Sequence, residues 1–110
     1  MIDISILIPV YNGMPYLEDC LRSIENQKKQ SFDINILNDC STDKTKSLID
    51  SFKKNSSHQV KVFHSKKQRG FYKSLKILIK LSKGAYYLLI GHDDLLSAKC
   101  IQSFCESSGF

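Results

Sequence analysis

An α/β domain with a mainly parallel sheet and flanking helices is the fold this sequence predicts, on three observations. Short strand-like runs alternate with amphipathic stretches in the order βαβαβαβα. The connections between them are short, as right-handed crossovers in a parallel sheet require. The first run, Ile4-Ser5-Ile6-Leu7-Ile8-Pro9-Val10, is almost continuously apolar and rich in β-branched residues, as a strand covered on both faces is.

Each element can be justified in turn. After the first strand, Tyr11-Asn12-Gly13 reads as a turn. Pro15 suits the first turn of a helix, and Glu18 and Asp19 suit its positive end. Leu17, Cys20, Leu21 and Ile24 fall on one helical face, and Lys28 and Lys29 suit the far end. Ile34-Asn35-Ile36-Leu37 is a second strand, followed by the polar turn Asn38-Asp39-Cys40-Ser41-Thr42-Asp43. Ser41 or Thr42 is available there as an N-cap. Leu48, Ile49 and Phe52 make the inner face of a second helix that ends at Asn55-Ser56-Ser57. Val60-Lys61-Val62-Phe63 is a third, weaker strand. From Phe71, the apolar residues Leu75, Leu78, Ile79 and Leu81 suggest a third helix, closed by Lys83 and a C′ glycine, Gly84. Ala85-Tyr86-Tyr87-Leu88-Leu89-Ile90 is the fourth strand, Gly91-His92-Asp93-Asp94 the turn after it. Ser97 can cap a last helix carrying Ile101, Phe104 and Cys105.

The 110 residues allow one domain, with no internal repeat and no low-complexity tract. A hydrophobic fraction of 42% fits a globular chain and argues against disorder. No apolar run approaches the ~20 residues of a membrane span. The opening Met1-Ile2-Asp3-Ile4-Ser5 has no basic region of the kind a signal peptide carries. Cys20, Cys40, Cys100 and Cys105 lack zinc-site spacing and read as buried free thiols in a reducing cytoplasm. Cys100 and Cys105 as a metal pair is the sharper, weaker reading.

Ligands of open α/β sheets bind beyond the carboxyl ends of the strands, where strand order reverses. Those ends carry Tyr11-Asn12, Asp39 and Asp93-Asp94, so three strands deliver an aromatic and three carboxylates to one edge. Carboxylates brought together repel, and a divalent cation offsets them. Oxygen donors point to Mg²⁺ or Mn²⁺ rather than zinc. Taken singly, each residue has a plainer reading: an acidic helix cap at Asp93-Asp94, a turn residue at Asp39, a packing residue at Tyr11. Neither G-x-G-x-x-G nor G-x-x-x-x-G-K-[ST] is present, and the glycines at 13, 70, 84, 91 and 109 are scattered. His58 and His64 read as solvated or edge residues, while His92 sits beside the acidic pair.

These residues also carry a family resemblance. Ser5-Ile6-Leu7-Ile8-Pro9-Val10-Tyr11-Asn12 resembles the opening strand of family 2 glycosyltransferases. Asn38-Asp39-Cys40-Ser41-Thr42-Asp43 is similar to their D-D-G-S-T-D turn, and Lys83-Gly84-Ala85-Tyr86 through Gly91-His92-Asp93-Asp94 to the K-G-E-Y strand leading to D-x-D. The resemblance implies a Rossmann-like GT-A fold and a nucleotide-diphosphate sugar donor, usually a UDP-sugar. It implies nucleotide binding by Pro9, Tyr11, Asp39 and Asp93: Tyr11 stacked near the base, Asp39 bonded to it, Asp93 near the ribose. It gives Asp94 the Mn²⁺ or Mg²⁺ on the donor diphosphate. Arg69, just ahead of the third helix, is placed to meet base or diphosphate.

The sequence departs from the family pattern in several places. Asn38 replaces an Asp, Cys40 the usual Gly, and His92 the first Asp of D-x-D. Cys40 is expected to cost local strain, because glycine there often allows a positive φ. Leu75-Lys76 stand where the family often has Arg-Asn. The resemblance also implies further chain beyond Phe110, holding the acceptor site and the catalytic base. The expectation is thus a single partial domain over 1–110, incomplete at its C-terminal side, with an apolar sheet edge at 85–90 and poor activity alone. The second reading is an inactive remnant serving as a nucleotide-binding or protein-interaction module.

The formal net charge is +5, and between Lys53 and Lys83 lie ten basic residues, ends included, and no acidic one. A solvated basic face on the second and third helices is the plain reading. Attraction to the inner membrane face is the functional one, giving a cytoplasmic, peripheral location. Nucleic acid is the competing, less favoured partner, hinted at by Phe71-Tyr72-Lys73.

Overall fold

The computed structural model describes residues 4–28 and 31–107. Expectations placed on Met1, Ile2, Asp3, Lys29, Gly109 and Phe110 fall outside the described residues. The elements are β1 (Ile4–Val10), α1 (Leu17–Glu25), β2 (Phe32–Asn38), α2 (Thr45–Asn55), β3 (Val60–His64), α3 (Phe71–Leu81), β4 (Tyr86–Leu89) and α4 (Cys100–Ser107). All strand pairs are parallel, in the order β3-β2-β1-β4. The chain steps outward from β1 to β3, then returns to the far side of β1. Strand order therefore reverses between β1 and β4, which opens a crevice at their carboxyl ends.

Strand alternation makes two unlike faces. On one, Ile4, Ile6, Ile8, Val10, Ile34 and Ile36 pack against Leu17, Leu21 and Ile24 of α1, Ile49 of α2 and Ile101 of α4. Ile6, Ile8, Ile34 and Ile36 are wholly buried. Each contributes about 2 kcal/mol by area, and truncation of one to Ala costs about 2–5 kcal/mol. The other face carries Leu7 and Leu37 under Leu78 of α3. Ser5, Asp33 and Asn35 alternate with these leucines and are buried too. Asn35 Nδ2 donates to Ile6 O (3.4 Å) and to Asp33 Oδ1 (3.3 Å).

Several local expectations are corrected. Pro15 lies two residues ahead of α1, whose entry is closed by the Leu17 N–H donating to Gly13 O (2.9 Å). Arg22, not Lys28, is the basic residue of its last turn. Neither Ser41 nor Thr42 caps α2. Asp43 Oδ1 accepts the Thr45 N–H instead (3.0 Å), because Ser41 Oγ is drawn to the neighbouring β1–α1 loop. On α3 the buried residues are Ser74 and Leu78, and Ile79 is exposed. The sheet touches only a narrow stripe of this helix, and Ile79 lies about 100° round from Leu78.

Gly84 is not a left-handed cap. The C-cap Ser82 is extended (ψ 153°), and Gly84 serves close approach: a Cβ on it would lie 2.7 Å from Ser5 N. The N–H groups of Lys83 and Gly84 both donate to Ser5 Oγ (3.2 and 2.7 Å), docking the start of β4 on β1. β4 is the outer strand on this side, with Tyr86, Tyr87 and Leu89 exposed, as the expected apolar edge. Phe104 is 40% exposed and meets Tyr86 edge-on (5.9 Å). Ser97 holds α4 through its backbone carbonyl, which accepts the Cys100 N–H (3.0 Å). His64 is an edge residue at the end of the outer strand β3, where it bonds Asp50, and His58 is half-buried and stacks on Phe32 (4.4 Å). Cys20 and Cys105 are buried as expected, whereas Cys40 and Cys100 are half-buried.

Candidate functional site

Two loops at the carboxyl ends of β1 and β2 are stitched together. The Asn12 N–H donates to Ser41 Oγ (2.9 Å) and the Thr42 N–H to Asn12 Oδ1 (2.8 Å). The Gly13 N–H donates to Thr45 Oγ1 (2.9 Å) and the Met14 N–H to Asp43 Oδ2 (3.2 Å). Polar side chains thus take up loop N–H groups that the sheet leaves unpaired. The result holds Tyr11 at the end of β1, its ring 43% exposed. Asn38 ties the same turn to β3. Its Oδ1 accepts the Ser41 N–H (3.2 Å) and its Nδ2 meets His64 Nδ1 (3.1 Å). His64 Nε2 in turn lies 2.7 Å from Asp50 Oδ1. That contact is the main reason the Asp50 carboxyl sits below its ordinary value.

Asp39 is only 5% exposed. Its N–H donates to Val10 O (2.7 Å). Its two carboxylate oxygens accept the N–H groups of Arg69 (2.7 Å) and Gly70 (2.9 Å). Charge-assisted bonds of this kind are the strong ones, so Asp39 clamps the loop that starts α3. The clamp needs glycine at 70, where φ is +87° and ψ is 168°, a region closed to other residues. Cys40, beside Asp39, has φ +62°, the strained conformation expected of a non-glycine residue there.

The turn after β4 is built differently. The Asp94 N–H donates to Gly91 O (3.0 Å), and the Gly91 N–H returns a bond to Asp94 Oδ2 (3.0 Å). Asp93 and Asp94 are both exposed, and one oxygen of each lies about 3 Å from the point where a Cβ on Gly91 would stand. The buried Cys20 thiol reaches Gly91 O from α1 (3.6 Å). Burial first, then the charges of Asp94 and Asp93, push this thiol up to about 11, so it stays protonated.

These ends converge on a cavity of about 560 Å³ at the β1–β4 crevice, lined among others by Pro9, Tyr11, Asp39, His92, Asp93 and Asp94. Five of the six residues singled out in the sequence are therefore brought together. The sixth, Arg69, offers its backbone to Asp39, while its side chain turns to Ser65 Oγ (2.9 Å) and the Phe63 ring (5.6 Å). Gln68, Phe71 and Ser74 also line the cavity and were not legible as site residues. The signal available for them was only their place at the entry to α3. Ser74 Oγ is buried and has no partner among the described residues. Leu75 packs on the sheet and Lys76 faces outward, so neither lines the cavity.

Among the described residues no cluster of three or more His, Cys, Asp or Glu side chains can hold a metal ion. The exposed oxygens of Asp93 and Asp94 do fit a hard cation held by one or two carboxylates and completed by ligand oxygens, as Mg²⁺ commonly is. No described helix is long and apolar enough to cross a membrane.

The sequence profile described as Glycosyl transferase family 2 matches residues 5–107. The chain is 29% identical over 103 residues to Glycosyltransferase GlyG of Streptococcus pneumoniae, covering 94% of this chain and 34% of that protein. It is 33% identical over 109 residues to Abequosyltransferase RfbV of Salmonella typhimurium, covering 94% of this chain and 33% of that protein. The chain thus spans about a third of the length of these two relatives. Its fold is similar to that of S. aureus TarS 1-349 solved with UDP-GlcNAc, with a TM-score of 0.86 at 23% identity. That match covers 96% of this chain and 32% of the TarS chain. It is also similar to a mannosyltransferase of Pyrobaculum calidifontis solved with GDP-Man and Mn2+ (TM-score 0.78, 20% identity, 84% and 28% covered).

Proposed function

We propose that this chain, which belongs to glycosyl transferase family 2, binds the nucleotide-sugar donor of a glycosyl transfer. The observation that carries the reading is the convergence of Tyr11, Asp39, Asp93 and Asp94 on one cavity at the reversal of strand order. Relatives solved with UDP-GlcNAc and with GDP-Man and Mn2+ support the class of ligand.

The roles follow from the chemistry of each group. The half-exposed Tyr11 ring offers a face on which a nucleobase stacks, a contact worth about 1–3 kcal/mol. Pro9 supplies apolar wall beside it. Asp39 already accepts two backbone N–H groups, but a carboxylate has about four acceptor positions. A base N–H, as on uracil, is its third donor. Asp93 accepts from the ribose hydroxyls. Asp94, together with Asp93 or alone, would hold Mn²⁺ or Mg²⁺. Bound there, a divalent cation would offset the negative charge that grows on the departing diphosphate. Arg69 acts from outside the cavity, through its backbone N–H to Asp39. The described residues offer no candidate for the base that deprotonates an acceptor, and the acceptor itself is left unassigned. The unpaired cysteines fit a cytoplasmic setting.

The test is a thermal melt of the purified chain with UDP and Mn²⁺ together and with each alone. A site occupied at ~100 Kd gains about 2.7 kcal/mol. A shift that needs both components supports the donor site. A cooperative melt with no shift overturns it and leaves an interaction module.

A further inference from the structure

We infer that the outward face of α3 is a docking surface for an anionic lipid bilayer. The basic run from Lys53 to Lys83 does not form one face. Lys53 and Lys54 lie on α2, on the opposite side of the sheet from α3. Lys61 donates to Leu81 O (2.7 Å), and Arg69 is held by Ser65. Lys66 and Lys67 are exposed ahead of α3 and Lys83 beyond its end; α3 itself carries Lys73, Lys76 and Lys80, three exposed lysines at i, i+3 and i+7 on the side opposite the buried Ser74 and Leu78. Two apolar side chains share that surface: Tyr72, 69% exposed, and Ile79, 38% exposed. The Lys76 ammonium stands 4.9 Å over the Tyr72 ring. Among the described residues none of the three lysines has a carboxylate partner, and the sequence around them offers none.

This combination fits an anionic interface. Lysine stems lie along apolar surface while their charges reach lipid headgroups. Tyr72 is amphipathic, and Ile79 gains by leaving water for the acyl boundary. A nucleic acid would use the lysines and Tyr72 but gives Ile79 no apolar environment. The inference rests on the surface alone and stands apart from the nucleotide reading.

The experiment is co-sedimentation of the full chain, without nucleotide, with phosphatidylcholine vesicles with and without phosphatidylglycerol. The chain is expected to sediment only with the anionic vesicles, and less at high salt. Lys73→Gln, Lys76→Gln and Lys80→Gln together should weaken binding about 100-fold, at the usual contribution of a lysine near an anionic surface. Ile79→Ser should weaken it about tenfold. The control triple, Lys28→Gln, Lys53→Gln and Lys54→Gln, removes the same charge from the other side of the sheet and should bind as the parent chain does. A native melt of each variant checks its fold. Absence of binding to anionic vesicles, or equal loss in both triples, overturns the inference. Tighter binding to a single-stranded oligonucleotide than to vesicles at the same salt overturns it in favour of nucleic acid.

Discussion

Two acidic turns meet at the candidate site, and they are built on opposite plans. The turn after β2 buries Asp39 and occupies both of its oxygens with backbone donors. The turn after β4 leaves Asp93 and Asp94 exposed, with one hydrogen bond from the Gly91 N–H between them. The first carboxylate organises protein, linking β2 to the entry of α3. The second pair has lone pairs to spare, with only the Gly91 N–H resting on Asp94. The same residue type therefore does two jobs, and what separates them is whether its oxygens are already satisfied.

The sharpest way to break this contrast is to remove Asp39. Asp39→Ala loses two charge-assisted bonds and strands two N–H groups, which should cost about 3 kcal/mol and lower Tm by about 10–20 °C. A melt like that of the parent chain would show that the clamp carries no stability. Asp94→Ala should leave Tm almost unchanged, because its carboxylate is exposed, yet abolish the Mn²⁺-dependent shift with UDP of about 2.7 kcal/mol at ~100 Kd. If the variant retains that shift, Asp94 is only a turn residue.

Smaller changes sharpen the picture. Cys40→Gly relieves a side chain held at φ +62° and should raise stability by about 1 kcal/mol, read from urea melts. A loss of stability instead would mean that the contact of its Sγ with Lys66 O (3.5 Å) outweighs the strain. The smallest effect should appear on acidification. His64 bonding, and then Lys46, hold the Asp50 carboxyl below its usual 3.8. Asp43 is also lowered. Burial works to raise it, but the bonds from Thr45 and Met14 prevail. A depressed carboxylate contributes stability above its unfolded pKa and loses it as pH falls through the folded value. Tm should therefore decline below about pH 4, and Asp50→Asn should flatten that decline. An unchanged acid limb in the variant would remove Asp50 from the account.

Much of the fold was legible because local periodicity records burial. Leu17, Cys20, Leu21 and Ile24 were assigned to one face of α1 and are its buried residues. The apolar run Ile4–Val10 became β1 without a shift of boundary. The strain at Cys40 could be anticipated from the residue alone. Ile79 on α3 and Phe104 on α4 are apolar yet exposed, because helical spacing says that a face exists but not how wide a surface covers it. Gly84 looked like a helix stop because a glycine after a basic last turn usually is one. Its contact is with Ser5, 79 positions away, and no local pattern shows that. Cavity residues at strand ends were found because topology sends all such ends to one edge. Gln68, Phe71 and Ser74 were missed because they reach the cavity from a loop and a helix start.

The kinds of element, their order and the acidic and aromatic residues at the strand ends follow from local residue order, since each depends on neighbours within a few positions. The strand order β3-β2-β1-β4, the split of the basic run between two sides of the sheet and the turning of the Arg69 side chain away from the cavity came with the folded packing. It also decided that Asp39 would be a clamp while Asp94 stayed open. Those outcomes depend on which distant backbone donors come to lie within hydrogen-bond reach, and that is settled by how the crossovers lay α1 and α2 on one face and α3 on the other.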